Sequence, residues 1–195
     1  MDQTMILIGI AAFALLIAVA YAISTRNGIV ANKNNVLRAW ADVIAYQRKK
    51  LNVIPELERG IREHLEFEQG LLTNITSIRS MVSNLSDKAI EPGHLQAIEA
   101  KTKELLAGIR IAVENYPQLR TTELYSRWMN ALEEIEDNIA AAITVFNAAV
   151  ERFNNCIQQF PANVVNSWLN QEAVLQAFTD TRAASGIEYK PGFSA

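Results

Sequence analysis

The chain opens on an apolar run and then changes period. From Met5 to Ile23 the stretch "MILIGIAAFALLIAVAYAI" holds no charged residue. As a helix it spans roughly 28 Å, about the hydrocarbon thickness of a bilayer. A cleaved signal peptide is the competing reading, with Ala20-Tyr21-Ala22 as an acceptable cleavage site. However, Met1–Thr4 carries no Lys or Arg, and the apolar run is longer than a usual signal core. The pattern predicts a retained transmembrane helix over 5–23 behind a short flank at 1–4. Arg26, Lys33 and Arg38 follow the span and no basic residue precedes it, so the positive-inside rule puts the following domain in the cytoplasm, with the periplasm as the alternative.

After the span the hydrophobic positions recur at helical spacing. Leu37, Trp40, Ile44, Leu51 and Ile54 predict a first soluble helix over about 28–54. Pro55 cannot continue the preceding hydrogen bonding, and it suits the start of a new helix. That second helix, over 55–85, carries Leu57, Ile61, His64, Glu68, Leu71, Ile75, Ile78, Val82 and Leu85 in alternating steps of four and three, the pattern of a coiled-coil seam. "SDKAIEPG" (Ser86–Gly93) reads as a loop. A third helix to about Asn115 turns Leu95, Ile98, Leu105, Ile109 and Val113 inward.

The longest pattern follows "NYPQL". Tyr125, Leu132, Ile139, Phe146, Phe153 and Phe160 stand seven apart, and Trp128, Ile135, Ala142, Ala149 and Cys156 each follow one of them by three. This predicts a fourth helix over about 121–160 with a heptad seam. Its two alanines would let a neighbouring helix approach closely. Pro161 ends it, and Asn163 can cap a shorter fifth helix holding Val164, Trp168, Leu175 and Phe178. The tail from residue 181 to 195 has no helical period. The sequence thus predicts an all-α fold: a transmembrane helix, then an antiparallel four-helix bundle with a short additional C-terminal helix, the bundle domain covering 24–180.

Composition agrees with this reading. Only 8 Gly and 5 Pro occur in 195 residues, which favours long helices over a turn-rich β fold. A net charge of −3 gives no electrostatic footprint for nucleic acid. The one cysteine, Cys156, excludes an internal disulfide framework and reads as a seam thiol.

Candidate chemistry is sparse. His64 and Glu68, four apart in an apolar stripe, are the best candidates for a proton-holding pair, and a polar core layer that sets helix register is the plainer reading. Glu91 and His94 have the E-x-x-H spacing of di-metal bundles, but Pro92-Gly93 puts them at a helix boundary and no second such motif exists. Arg48-Lys49-Lys50 would stand roughly 37 Å beyond Ile23 on a continuous helix. That is several Debye lengths from the bilayer, so a solvated face or a partner surface fits better. Asn32, Asn34 and Asn35, with Asn147, Asn154 and Asn155, are expected to hydrogen-bond between helices and specify register, the alternative being that they face solvent or another subunit. No Ser/His/Asp grouping and no phosphate-binding glycine loop is present, so neither catalysis nor a cofactor is expected.

These stretches, in order, resemble the LemA family of membrane-anchored bacterial proteins. The resemblance rests on the span followed by "NGIVANKNNVLRAW", then "YQRKKLNVIPEL", "NYPQLR", "FNAAVERFNNCIQQFPAN" and a weak "KPGF". It covers nearly the whole chain and implies a closed four-helix bundle, a bacterial inner-membrane location and no enzymatic activity. Two positions depart from the family pattern: Phe67-Glu68 stands where a His-Glu pair is usual, and Trp168-Leu169-Asn170 where Phe-Gly-Phe is usual.

Together these features predict a membrane-anchored structural scaffold that self-associates. An adaptor for a membrane or soluble protein partner, such as a protease or transporter, is the alternative, and a periplasmic sensor-like bundle a further one. In an up-down bundle the fourth helix returns toward the bilayer. Trp168, Phe178, Tyr189 and Phe193 are therefore the candidate membrane-surface or subunit contacts.

Overall fold

A computed structural model of the chain describes residues 3–64, 69–87, 89–115 and 123–179. Every regular element among them is helical. They are α1 (Gln3–His64), α2 (Gln69–Ser83), α3 (Pro92–Asn115), α4 (Glu123–Gln158), α5 (Ala162–Val165) and a one-turn π-helix at Asn166–Asn170. The all-α class expected from the periodicity is the observed one: a long N-terminal helix able to cross a membrane, several packed helices and a short C-terminal helix.

The expected break at Pro55 does not occur. The apolar span, the first soluble stripe and the start of the second form the single helix α1, with Pro55 inside it. Proline removes one backbone bond and crowds the carbonyl of Leu51, at a cost of about 3 kcal/mol. Pro55 itself is exposed while its neighbour Ile54 is buried. Packing of the inward face, the main source of helical stability in proteins, therefore carries the helix through the proline. His64 becomes the last residue of α1, and the remainder of the second stripe (Leu71, Ile75, Ile78, Val82 and Leu85) is buried on and just after α2.

The helices form two compact units. One combines residues 39–147 with the segment from Ala177. Its core runs from Trp40, Val43 and Ile44 through the α2 stripe, Leu95, Ile98, Leu105 and Ile109 of α3, to Leu132, Ile139 and Phe146 of α4. The rings of Trp40 and Phe146 pack tilted at 51° with centroids 5.2 Å apart. Trp40 Nε1 donates to the carbonyl of Ser86 at 3.0 Å, which seats the α2–α3 loop. Gly108 on α3 faces Leu71 so closely that a Cβ there would stand 2.5 Å from Leu71 Cδ2. The other unit combines α1 up to Arg38 with Ala148–Gln176, around Ile29, Val36, Val150, Phe153 and Ile157.

The seam of α4 differs from a strict heptad in its last third. Trp128, Leu132, Ile135, Ile139, Ala142 and Phe146 are buried as the spacing predicts. Beyond Phe146 the buried positions are Val150, Phe153 and Ile157, while Ala149 and Cys156 are half-buried and Phe160 is 81% exposed. A straight helix turns every 3.6 residues and drifts about 20° per heptad against a 3.5 repeat. Over this length the drift moves the inward face by one position.

The predicted fifth helix is also shorter than its stripe. It ends at Asn170, where Gln171 adopts a left-handed backbone (φ 53°) and its N–H donates to the Asn166 carbonyl at 2.6 Å. Leu175 and Phe178 lie in the irregular stretch 171–179 that follows, outside any helix.

Candidate functional site

Two groups of polar side chains are built into the interior, and one apolar group is left outside. The first lies in the unit of residues 39–147, where α1, α3 and α4 pack. Gln47 and Lys50 fall on the inward stripe of α1 after Trp40, Val43 and Ile44, so folding buries both. The Lys50 ammonium is 2.6 Å from Glu136 Oε1 and 3.7 Å from Glu99 Oε1, and it donates to Thr102 Oγ1 at 3.1 Å. Gln47 Nε2 donates to the same Glu99 oxygen at 2.7 Å, and Thr102 Oγ1 donates back to the Ile98 carbonyl. The Lys50–Glu136 contact is the shorter of the two that Lys50 makes to a carboxylate.

Burial raises the Glu136 carboxyl above its ordinary pKa. The nearby Glu99 charge and a hydrogen bond with Glu99 push the same way, and Lys50 opposes them. One cation thus faces two carboxyls, one of them with its pKa raised by burial.

This corrects the reading of Arg48-Lys49-Lys50 as one solvated basic face. Only Lys49 stands free in solvent, because Arg48 Nη2 donates to the Leu85 carbonyl at 3.3 Å and Lys50 is 1% exposed. The signal was present in the register: Lys50 follows Val43 by seven and Gln47 by three, both inward positions.

The second group is a set of asparagine clasps. Asn147 donates to the Phe178 carbonyl at 2.9 Å and accepts from the Phe178 N–H at 2.9 Å. Asn154 grips Leu175 in the same two-bond manner, at 2.9 and 3.0 Å, and Asn166 grips Glu172 at 2.9 and 3.0 Å. Each carboxamide offers one donor and one acceptor side by side, the same pair a neighbouring strand would present. Seven helical residues rise about 10.5 Å and three extended residues about 10.2 Å, so Asn147 and Asn154 match Phe178 and Leu175 in pitch. This is why the stretch after Gln171 is extended: its backbone groups are satisfied by side chains instead of a helix. Gln96 Nε2 adds a bond to the Thr179 carbonyl at 2.9 Å.

The remaining sequence candidates are distributed as follows. His64 closes α1, and Glu68, Tyr189 and Phe193 lie outside the described residues. Phe178, expected at a surface, is buried at 9% exposure beside its clasped backbone. Trp168 is 80% exposed. Glu91 and His94 meet at the exposed start of α3, Oε2 to Nδ1 2.5 Å. Asn32 turns its amide onto the Gly28 carbonyl of its own helix, and Asn34, Asn35 and Asn155 face solvent. Cys156 is half-buried. A shallow depression along α2, lined by Leu72, Thr73, Thr76, Ser77, Ser80 and Met81, offers hydroxyls and no titratable group. Among the described residues no three His, Cys, Asp or Glu side chains gather as a metal site would require.

Among the described residues one exposed apolar helix is long enough to span a bilayer and continues into packed helices, an arrangement consistent with a membrane-anchored helical protein. The model of the LemA family matches residues 39–188, and the chain belongs to that non-catalytic bacterial family. It is also similar to Protein LemA of Metamycoplasma hominis (strain ATCC 23114), 25% identical over 169 residues that cover 85% of this chain and 76% of that one.

Proposed function

We propose that the chain is a membrane-anchored scaffold that self-associates into a homo-oligomer at the bacterial inner membrane, with its helical bundle on the cytoplasmic side. The observation that carries this reading is the way interior polar groups are used. Lys50, Gln47, Thr102, Asn147, Asn154 and Asn166 are engaged with partners inside the fold, which holds helices and the returning chain in register, and among the described residues no assembled polar set is left for a substrate. The cytoplasmic side rests on Arg26, Lys33 and Arg38, all on the C-terminal flank of the span.

Extraction of the full-length protein from its native membrane in mild detergent, followed by mass measurement, tests the assembly. The expected result is a large complex built of this chain alone. A monomer overturns the reading, and a complex with an unlike chain replaces it with the adaptor. Orientation is read separately, by labelling a cysteine introduced at exposed Val145 in a Cys156→Ser background with an impermeant thiol reagent. Protection in intact cells is expected, and labelling would place the bundle outside the cytoplasm.

A further inference from the structure

From Gln159 to Gln171 the chain contains no Asp, Glu, Lys or Arg, a second uncharged stretch far in sequence from the span. It carries the most exposed aromatics of the described protein. Phe160 is 81% and Trp168 80% exposed, with Val164 at 47% and Leu169 at 54%. Phe160, Val164 and Trp168 follow one another at intervals of four, through the turn at Pro161 into α5 and the π-helix. Polar side chains between them are mostly neutral amides: Asn163, Asn166 and Asn170.

The position of this stretch against α1 is fixed within its own unit. Every residue of α1 from Gln3 to Tyr21 is exposed, including Ala11, Ala12, Ala14, Ala18 and Ala20. Ala22 and Thr25 are half-buried, and Ile29 is fully buried. The burial of Ile29, about 9 Å beyond Ile23 on α1, puts the cover supplied by this unit within two turns of the apolar span. Lys33 pairs with Glu172 at 2.7 Å, and Asn166 grips Glu172, so the π-helix is tied to α1 about 15 Å beyond Ile23 or closer. That pairing also neutralises the charges nearest the stretch.

We propose that Phe160, Val164, Trp168 and Leu169 form a second membrane contact, a collar that lies in the lipid headgroup layer beside the point where α1 leaves the bilayer. Exposed aromatic and aliphatic side chains without charge suit that layer, where one end of an indole is apolar and the other wet. Among the amides between them, exposed Asn163 can donate to phosphate and ester oxygens, while Asn166 is committed to Glu172. Lipid is favoured over a second copy of the chain because the apolar group is continuous with a surface already committed to lipid.

The test uses the full-length protein in vesicles of phosphatidylethanolamine and phosphatidylglycerol with acyl chains brominated near the headgroup. Trp40 and Trp128 are buried, and Trp168→Phe changes an exposed side chain, so the difference in emission between the two proteins isolates Trp168. Bromolipid is expected to quench that component, aqueous iodide to leave it largely intact, and dilution of protein into more lipid to change neither result. A Trp168 component quenched by iodide and untouched by bromolipid overturns the proposal. A component shielded from both quenchers, with shielding lost on dilution, also overturns it and assigns the collar to contact between copies.

Discussion

Helix α4 handles buried polarity differently on the two sides of Phe146. Before it, the polar group that α4 brings inward is a carboxyl, Glu136, which meets Lys50 of α1 and shares it with Glu99 of α3. After it, the inward polar groups are amides, which hold backbone rather than side chains. Charges attract at a distance and tolerate poor alignment, but they are costly to desolvate and they titrate. Carboxamides are indifferent to pH and demand two aligned bonds. The ionic group could be replaced by well-packed apolar side chains of similar volume, whereas no apolar side chain can satisfy the N–H and C=O of Leu175 or Phe178.

The largest expected effect breaks the ionic side. Lys50→Ala leaves Glu99 and Glu136 without their cation and should cost about 3 kcal/mol, the low end for a broken buried pair because both carboxyls retain some exposure. Guanidinium unfolding of the full chain in detergent measures it. The triple change Lys50→Met, Glu99→Leu, Glu136→Leu should recover most of that loss; a triple variant as weak as Lys50→Ala would mean the charges themselves are required.

Next comes the amide side. Asn154→Ala strands both backbone groups of Leu175 and should cost about 2 kcal/mol, with faster hydrogen exchange at the Leu175 amide. Unchanged exchange there would show that the clasp is not what keeps the segment extended.

The third prediction separates the two sides by pH. The Glu136 carboxyl is raised in the folded protein, so its stabilising contribution is complete below the ordinary glutamate value and is lost as pH rises through the folded value. Glu136→Gln should flatten the stability curve across that window, and Asn147→Ala should lower it without changing its shape. The smallest effect belongs to Phe160→Ala, within about 0.5 kcal/mol in detergent because the ring stands outside the seam. A loss like that of a core phenylalanine would restore the strict heptad.

The sequence pattern makes most of the core legible. Among the described side chains, the stripes of α2, of α3 from Leu95 to Ile109 and of α4 from Trp128 to Phe146 are buried where periodicity places them, because helical spacing alone selects an inward face. Three features were not legible, each for a tertiary reason. The helix passes Pro55 because the inward face around it, with Ile54 buried, outweighs one lost bond. Lys50 stands at an inward register position, but its partners stay hidden until Glu99 and Glu136 arrive from helices distant in sequence. Leu175 and Phe178 read as helical until Asn154 and Asn147 are seen to hold their backbone. The asparagines were recognisable as register-setting groups, but a side chain's partner cannot be read from its own neighbours in the chain.

One further consequence follows from α1 crossing from the apolar span to Arg38 without leaving helical geometry. A protein hung on a flexible tether can swivel and tilt, and it surrenders that freedom each time it docks sideways. Here any rotation of the span about its own axis turns the Phe160–Leu169 face by the same angle. The angle of that face relative to the span is therefore fixed by the fold, and the freedom left to it is the spin, tilt and drift of the span itself.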